Sequence, residues 1–113
     1  MKLLTKLIKA NLEIATSYNE GNVKGKNVVV KFFAPWTSAT WYIFEGTEHE
    51  QPNGMLMFGM CDLGHKDAAE LGYVSLPDLM SITGPGGLKI ERDLHYRGNY
   101  SDLQKIYPQL REL

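Results

Sequence analysis

The apolar residues near the start of the chain recur at helical spacing. Leu4, Leu7, Ile8, Leu12 and Ala15 fall on one side of a helix drawn over residues 3–17, with Lys2, Lys6, Lys9 and Glu13 on the other. "NEGNVKGKN", residues 19–27, has no period and is rich in turn formers. The pattern then changes to that of strands. "VVVKFFA", residues 28–34, is β-branched and aromatic, and a period of two puts Val28, Val30 and Phe32 on one face. "PWTS" turns the chain, and "ATWYIFE", residues 39–45, returns as a hairpin partner. A polar loop over residues 46–54 leads to a third strand, "MLMFGMCD", residues 55–62. Connections this short do not accommodate parallel crossovers, so the three strands are expected to form an antiparallel meander.

Capping signals organise the second half. Ser75 precedes Asp78 by three residues and Pro77 sits in the first turn, which predicts a short helix with Leu76, Leu79 and Met80 on one face. Gly84 and Pro85 end it. "LKIERDLHYR", residues 88–97, alternates well enough for a fourth strand. Ser101 and Gln104 open a last helix carrying Leu103, Ile106, Tyr107 and Leu110, and Pro108 should kink or stop it.

The expected architecture is a single α+β domain over residues 1–113. A small, mostly antiparallel sheet of about four strands packs with an N-terminal helix, a short middle helix and a C-terminal helix. A chain of 113 residues buries roughly two-thirds of its unfolded surface, enough for one core.

Composition narrows the functional classes. The chain is 43% hydrophobic and 22% charged, as globular proteins are. Twelve basic residues face thirteen acidic ones, so bulk charge supports neither a nucleic-acid binder nor an acidic mimic of DNA. One cysteine cannot close an intramolecular disulfide, which suits a reducing cytoplasm. Lys6, Lys9 and Asn11 interrupt the first apolar run, so neither a signal peptide nor a membrane span is expected. The Lys2, Lys6, Lys9 stripe has two readings, a solvated helix face or a contact with phosphate or an acidic partner.

Candidate chemistry centres on "FGMCDLGHKDAAELGY", residues 58–73. Cys61 and His65 have a spacing that can place two zinc ligands across a turn. Structural zinc takes four ligands. His49 and His95 are the remaining histidines, and Asp62, Asp67 or Glu70 would be less usual substitutes. The ordinary alternative is that Cys61 is a small buried hydrophobe at a strand end. As a nucleophile it would need a depressed pKa and a base in reach, and no catalytic cysteine signature surrounds it. "TGPGGLK", residues 83–89, lacks the spacing of a phosphate-binding loop, so its glycines are read as turn residues. No cofactor is expected, with zinc as the alternative.

Two stretches suit contact with a partner. Trp36 sits in an expected turn, where an exposed indole would make a protein-binding hot spot. Glu91, Arg92, Asp93, His95 and Arg97 concentrate charge on the fourth strand. They read either as an exposed strand with cross-strand ion pairs or as a partner-binding edge.

Five stretches, in order, carry a resemblance. They are "VVVKFFAP", the "TWY" strand, "FGMCDLG", "ELGYVSL" and "GLKIERDLHY", and together they span most of Val28 to Tyr96. On them the chain resembles a bacterial family catalogued as domain of unknown function 2958. "ELGYVSL" and "IERDL" are the most specific. The resemblance implies an accessory protein of plasmids, integrated elements or phages, encoded among genes that manage DNA transfer or counter host defence. It implies no catalytic residue. Cys61 and Asp62 belong to the matching part. His65 falls in the spacer "HKDAA", which the resemblance does not cover, so residues 58–73 read best as a strand end and loop.

Three functional readings follow. The first is a small non-enzymatic binding protein of a mobile element or phage, acting on a host protein or a defence complex such as a CRISPR effector. The second is a DNA-associated maintenance factor using Lys2, Lys6 and Lys9 with Arg92, Arg97 or Lys105. The third is a zinc-stabilised protein or metal-dependent enzyme using Cys61. Oligomeric state is not legible in the sequence.

Overall fold

Thr5 starts the first helix. Its Oγ1 accepts the Ile8 amide at 3.1 Å, satisfying one of the free N–H groups of the first turn. The helix, α1, runs over Lys6–Asn19 in a computed structural model that describes residues 2–49 and 54–113. Its inward line is Ile8, Leu12, Thr16 and Asn19. Thr16 Oγ1 donates to Gly46 O at 3.0 Å and accepts the Gly46 amide at 3.1 Å, and Asn19 Nδ2 donates to Glu45 Oε1 at 3.0 Å. These polar anchors set the roll of the helix. In consequence Leu7, expected in the apolar stripe, is 70% exposed, and Ile14 and Tyr18 also face outward.

Among the described residues, five strands form one antiparallel sheet in the order β4-β3-β2-β1-β5, one more strand than expected. They are β1 Val30–Phe33, β2 Thr40–Glu48, β3 Met55–Asp62, β4 Glu70–Ser75 and β5 Glu91–Arg92. β2 continues through Glu48, so the loop expected from residue 46 starts later, and residues 50–53 of that loop lie outside the described residues. Val28 lies before β1 and packs with the opposite core from Val30 and Phe32, contrary to the shared face expected. Residues 88–97 form a strand only at Glu91–Arg92. Asp93 Oδ1 accepts the amides of His95 and Tyr96, each at 2.9 Å, and this local turn competes with further pairing.

The sheet is covered on both sides. Alternation along β2 sends Trp41 and Ile43 to one face and Tyr42 and Phe44 to the other. The first face packs under Leu3, Leu12 of α1 and the helix α2, Leu76–Ser81. The second packs under α3, Tyr100–Ile106, and the 3₁₀ turn Pro108–Glu112, through Tyr100, Leu103, Tyr107 and Leu110.

The short helices keep their caps. Ser75 Oγ accepts the Asp78 amide at 3.2 Å, as the spacing suggests. Leu76 and Leu79 are buried, but Met80 points outward. α3 opens earlier than expected, at Asn99, where Asn99 Oδ1 accepts the Asp102 amide at 3.0 Å and Asp102 Oδ2 accepts the Asn99 amide at 2.9 Å. It stops before Pro108, and Ile106 lies outside the core formed by Leu103, Tyr107 and Leu110.

A β-bulge interrupts β2. Ile43 pairs with Gly59 and Glu45 with Phe58, leaving Phe44 as the extra residue. The two backbones come so close there that a Cβ on Gly59 would lie 2.0 Å from Tyr42 O. Glycine at 59 is therefore a requirement of the bulge.

Candidate functional site

Residues Lys2–Leu4 approach the sheet before α1 begins. Arg92 Nη1 donates to Lys2 O at 2.8 Å and to Leu3 O at 3.0 Å, which seats Leu3 in the core. Nearby, the chain leaves α2 through a turn in which Gly86 and Gly87 adopt positive φ of 68° and 80°. The Gly84 amide donates to Leu88 O at 2.7 Å, and Lys89 Nζ donates to Thr83 Oγ1 at 2.6 Å, closing the loop.

A groove of about 510 Å³ lies among these segments. This is within the usual range of ligand sites, roughly 300–1,000 Å³. Its base is apolar: Leu3, Met55, Leu76, Leu79 and Ile90 are buried, and exposed Met80 stands beside them. Its polar side chains are Lys2, Lys6, Lys9, Lys89 and Thr5, and no carboxylate lines it among the described residues. Lys9 is paired with Glu48 at 2.8 Å, an interaction that raises the lysine's pKa. Lys2, Lys6 and Lys89 have no carboxylate partner among the described residues. A protein of net charge −1 thus gathers four of its twelve cationic side chains around one apolar depression.

The other face of the sheet holds a polar and aromatic network. Tyr107 donates to buried Asp62 at 2.6 Å, and the Tyr107 and Tyr42 rings meet edge-on at 6.1 Å. Tyr42 also meets Tyr96 edge-on at 5.5 Å, with Lys31 Nζ 5.4 Å and 5.1 Å from the two ring centroids. Lys31 approaches Asp93 at 3.6 Å. Asp93 titrates below the ordinary carboxylate value, chiefly because it accepts the His95 amide, with Lys31 adding to the effect. Burial pushes the Tyr107 hydroxyl up, and its bond to Asp62 pushes further. These contacts tie elements together.

The residues singled out in the sequence have different fates. Cys61 lies on β3, half-buried toward the α1 face beside cross-strand partner Glu70. Burial, and then the Glu70 charge, raise its pKa, the reverse of nucleophile activation. His65 follows in the turn after β3. His49 follows Glu48, which pairs with Met55 at the far end of β3. His95 lies beyond β5, separated from β3 by β2 and β1. No group of three or more His, Cys, Asp or Glu among the described residues is placed to hold a metal.

Trp36 is half-buried against the first core, with its indole so close to Gly84 that a Cβ there would lie 2.3 Å from the ring. Arg92 and Asp93 serve the main-chain contacts given above. Glu91 pairs with Phe33 in the ladder, while His95 and Arg97 are exposed. Lys89 had no signal that could join it to the N-terminal lysines, because the groove exists only once α1, α2 and the loop before β5 have packed.

The fold and groove define a small α+β protein with one five-stranded antiparallel sheet between two helical layers. No helix among the described residues is long and apolar enough to cross a membrane. The chain belongs to the family described as "Protein of unknown function (DUF2958)", whose model matches residues 3–105. The match therefore takes in α1 and nearly all of α3, beyond the stretches that first suggested it. No curated protein and no solved structure matches the chain.

Proposed function

We propose that this chain is a non-enzymatic binding protein of a mobile element or phage, acting in the cytoplasm of a bacterial host. It works by occupying a surface of a host protein or defence complex, as an anti-CRISPR-like inhibitor does. The groove carries this reading, because a concave apolar surface with cationic groups around it is suited to recognition. The resemblance to accessory proteins of mobile elements supplies the biological setting. Exposed His95 and Arg97 offer a further contact region beyond β5.

The test is affinity capture of the tagged protein from a host lysate with intact defence systems, read by mass spectrometry against a tag-only control. One enriched host complex, with protection of phage or plasmid in that host, is the expected result. No enriched protein and no protection would end the proposal.

A DNA-associated role is the second reading, favoured by Lys2, Lys6 and Lys9 lying together at the groove. It predicts affinity that falls steeply with salt. Two of its other candidate cations are engaged elsewhere, Arg92 with Lys2 O and Leu3 O, and Lys105 beside Asp102 at 3.9 Å.

A further inference from the structure

We infer that the groove receives an acidic amphipathic helix of a partner protein, an inference that rests on the binding-protein reading above. Two observations select this occupant. The base of the groove is apolar, so its occupant must supply apolar side chains in exchange for water. Besides Lys9, which Glu48 pairs, the surrounding cations come from two separate segments, Lys2 and Lys6 around the start of α1 and Lys89 before β5, and these three have no carboxylate partner among the described residues.

Charge complementarity discriminates among ligands. A simple fatty acid brings one carboxylate and would leave the remaining lysines repelling one another. Nucleic acid brings many phosphates but gives the apolar base little to bury, and its interfaces are strongly polar. A lipid surface is broad and does not follow a concave depression. A helix with apolar residues at helical spacing and Asp or Glu on both flanks meets both demands, in the helix-in-groove mode.

The probe is a displayed library of random helical peptides about 15 residues long, selected on the full chain. Two charge-reversed variants serve as comparisons. Lys6→Glu with Lys89→Glu alters the groove, and Lys24→Glu with Lys66→Glu makes the same net change at exposed positions that do not line it. Unchanged thermal unfolding shows that each variant is folded. The expected result is enrichment of peptides with acidic flanks and an apolar stripe. Their affinity should drop about tenfold or more on the groove variant, stay near wild type on the other, and weaken with salt.

Enrichment of basic or uncharged peptides would overturn the inference. So would no enrichment, or equal loss on both variants. The same holds if duplex DNA or phosphatidylserine vesicles bind through Lys6 and Lys89 while peptides do not. A host complex captured equally well by the groove variant would refute this site and leave the binding-protein reading standing. No complex captured by any form refutes that reading itself.

Discussion

Tyr107 donates its hydroxyl proton to Asp62 Oδ2 at 2.6 Å, joining positions 45 residues apart. The other carboxylate oxygen accepts the Gly64 amide at 2.9 Å, so Asp62 ties the turn after β3 to the segment that covers the second face. Tyr107→Phe removes one donor and leaves the buried carboxylate short of a partner. A loss of about 1–3 kcal/mol is expected. Urea unfolding checks it, and an unchanged midpoint would show that the bond contributes nothing.

Gly59 and Gly72 face each other across β3 and β4 but should answer oppositely to alanine. The Cβ at 59 would lie 2.0 Å from Tyr42 O and 2.8 Å from Ile43 Cα, both backbone atoms. The Cβ at 72 would meet nothing within 4 Å. Gly59→Ala should cost about 3 kcal/mol, in the manner of overpacking. Gly72→Ala should be neutral or gain a few tenths of a kcal/mol, because glycine weakens a strand. Equal effects would contradict the bulge geometry.

Stability should fall in alkali. Burial, and then the neighbouring Tyr42, push Tyr96 up from 10.0 to about 12, and Tyr107 is raised as well. An unfolded tyrosine ionises near pH 10 while these two hold their protons. Their contribution is therefore complete below about pH 10 and is lost as pH rises through the folded values. Denaturant midpoints measured across that window should decline, and less steeply in Tyr96→Phe. An identical slope in the variant would remove Tyr96 from the explanation.

Cys61 should be a sluggish thiol. Burial raises its pKa above 9.0 and the Glu70 carboxylate raises it further, so little thiolate exists near neutrality. Alkylation by iodoacetamide should be slower than for a free thiol and should accelerate in denaturant. A native rate above that of a free thiol would mark Cys61 as activated.

Local signals were the readable ones. Ser75 and Asp78 cap α2 across three residues, and Pro108 stops α3 where its missing N–H requires. β4 is not legible in the sequence because it is an edge strand without one fully buried side chain, so Leu71, Tyr73 and Val74 give no clean alternation. The opposite error lies at residues 88–97, where alternation is present but Asp93 captures two amides and turns the chain. The roll of α1 was hidden for another reason. Thr16 and Asn19 look like surface residues, yet their bonds to β2 turn Leu7 outward. The groove is the extreme case, since Lys89 is more than eighty positions from Lys2 and Lys6 and only packing brings them together.

The two helical layers also arrive at different times. On a ribosome, α1, every strand and α2 are made before any of the residues from Tyr100 to Leu110. Until those residues are in place, Tyr42, Phe44 and Met60 lack their cover. For that interval the molecule presents a sticky half-built surface, the kind that invites aggregation or a chaperone. The finished form waits on residues 100–110.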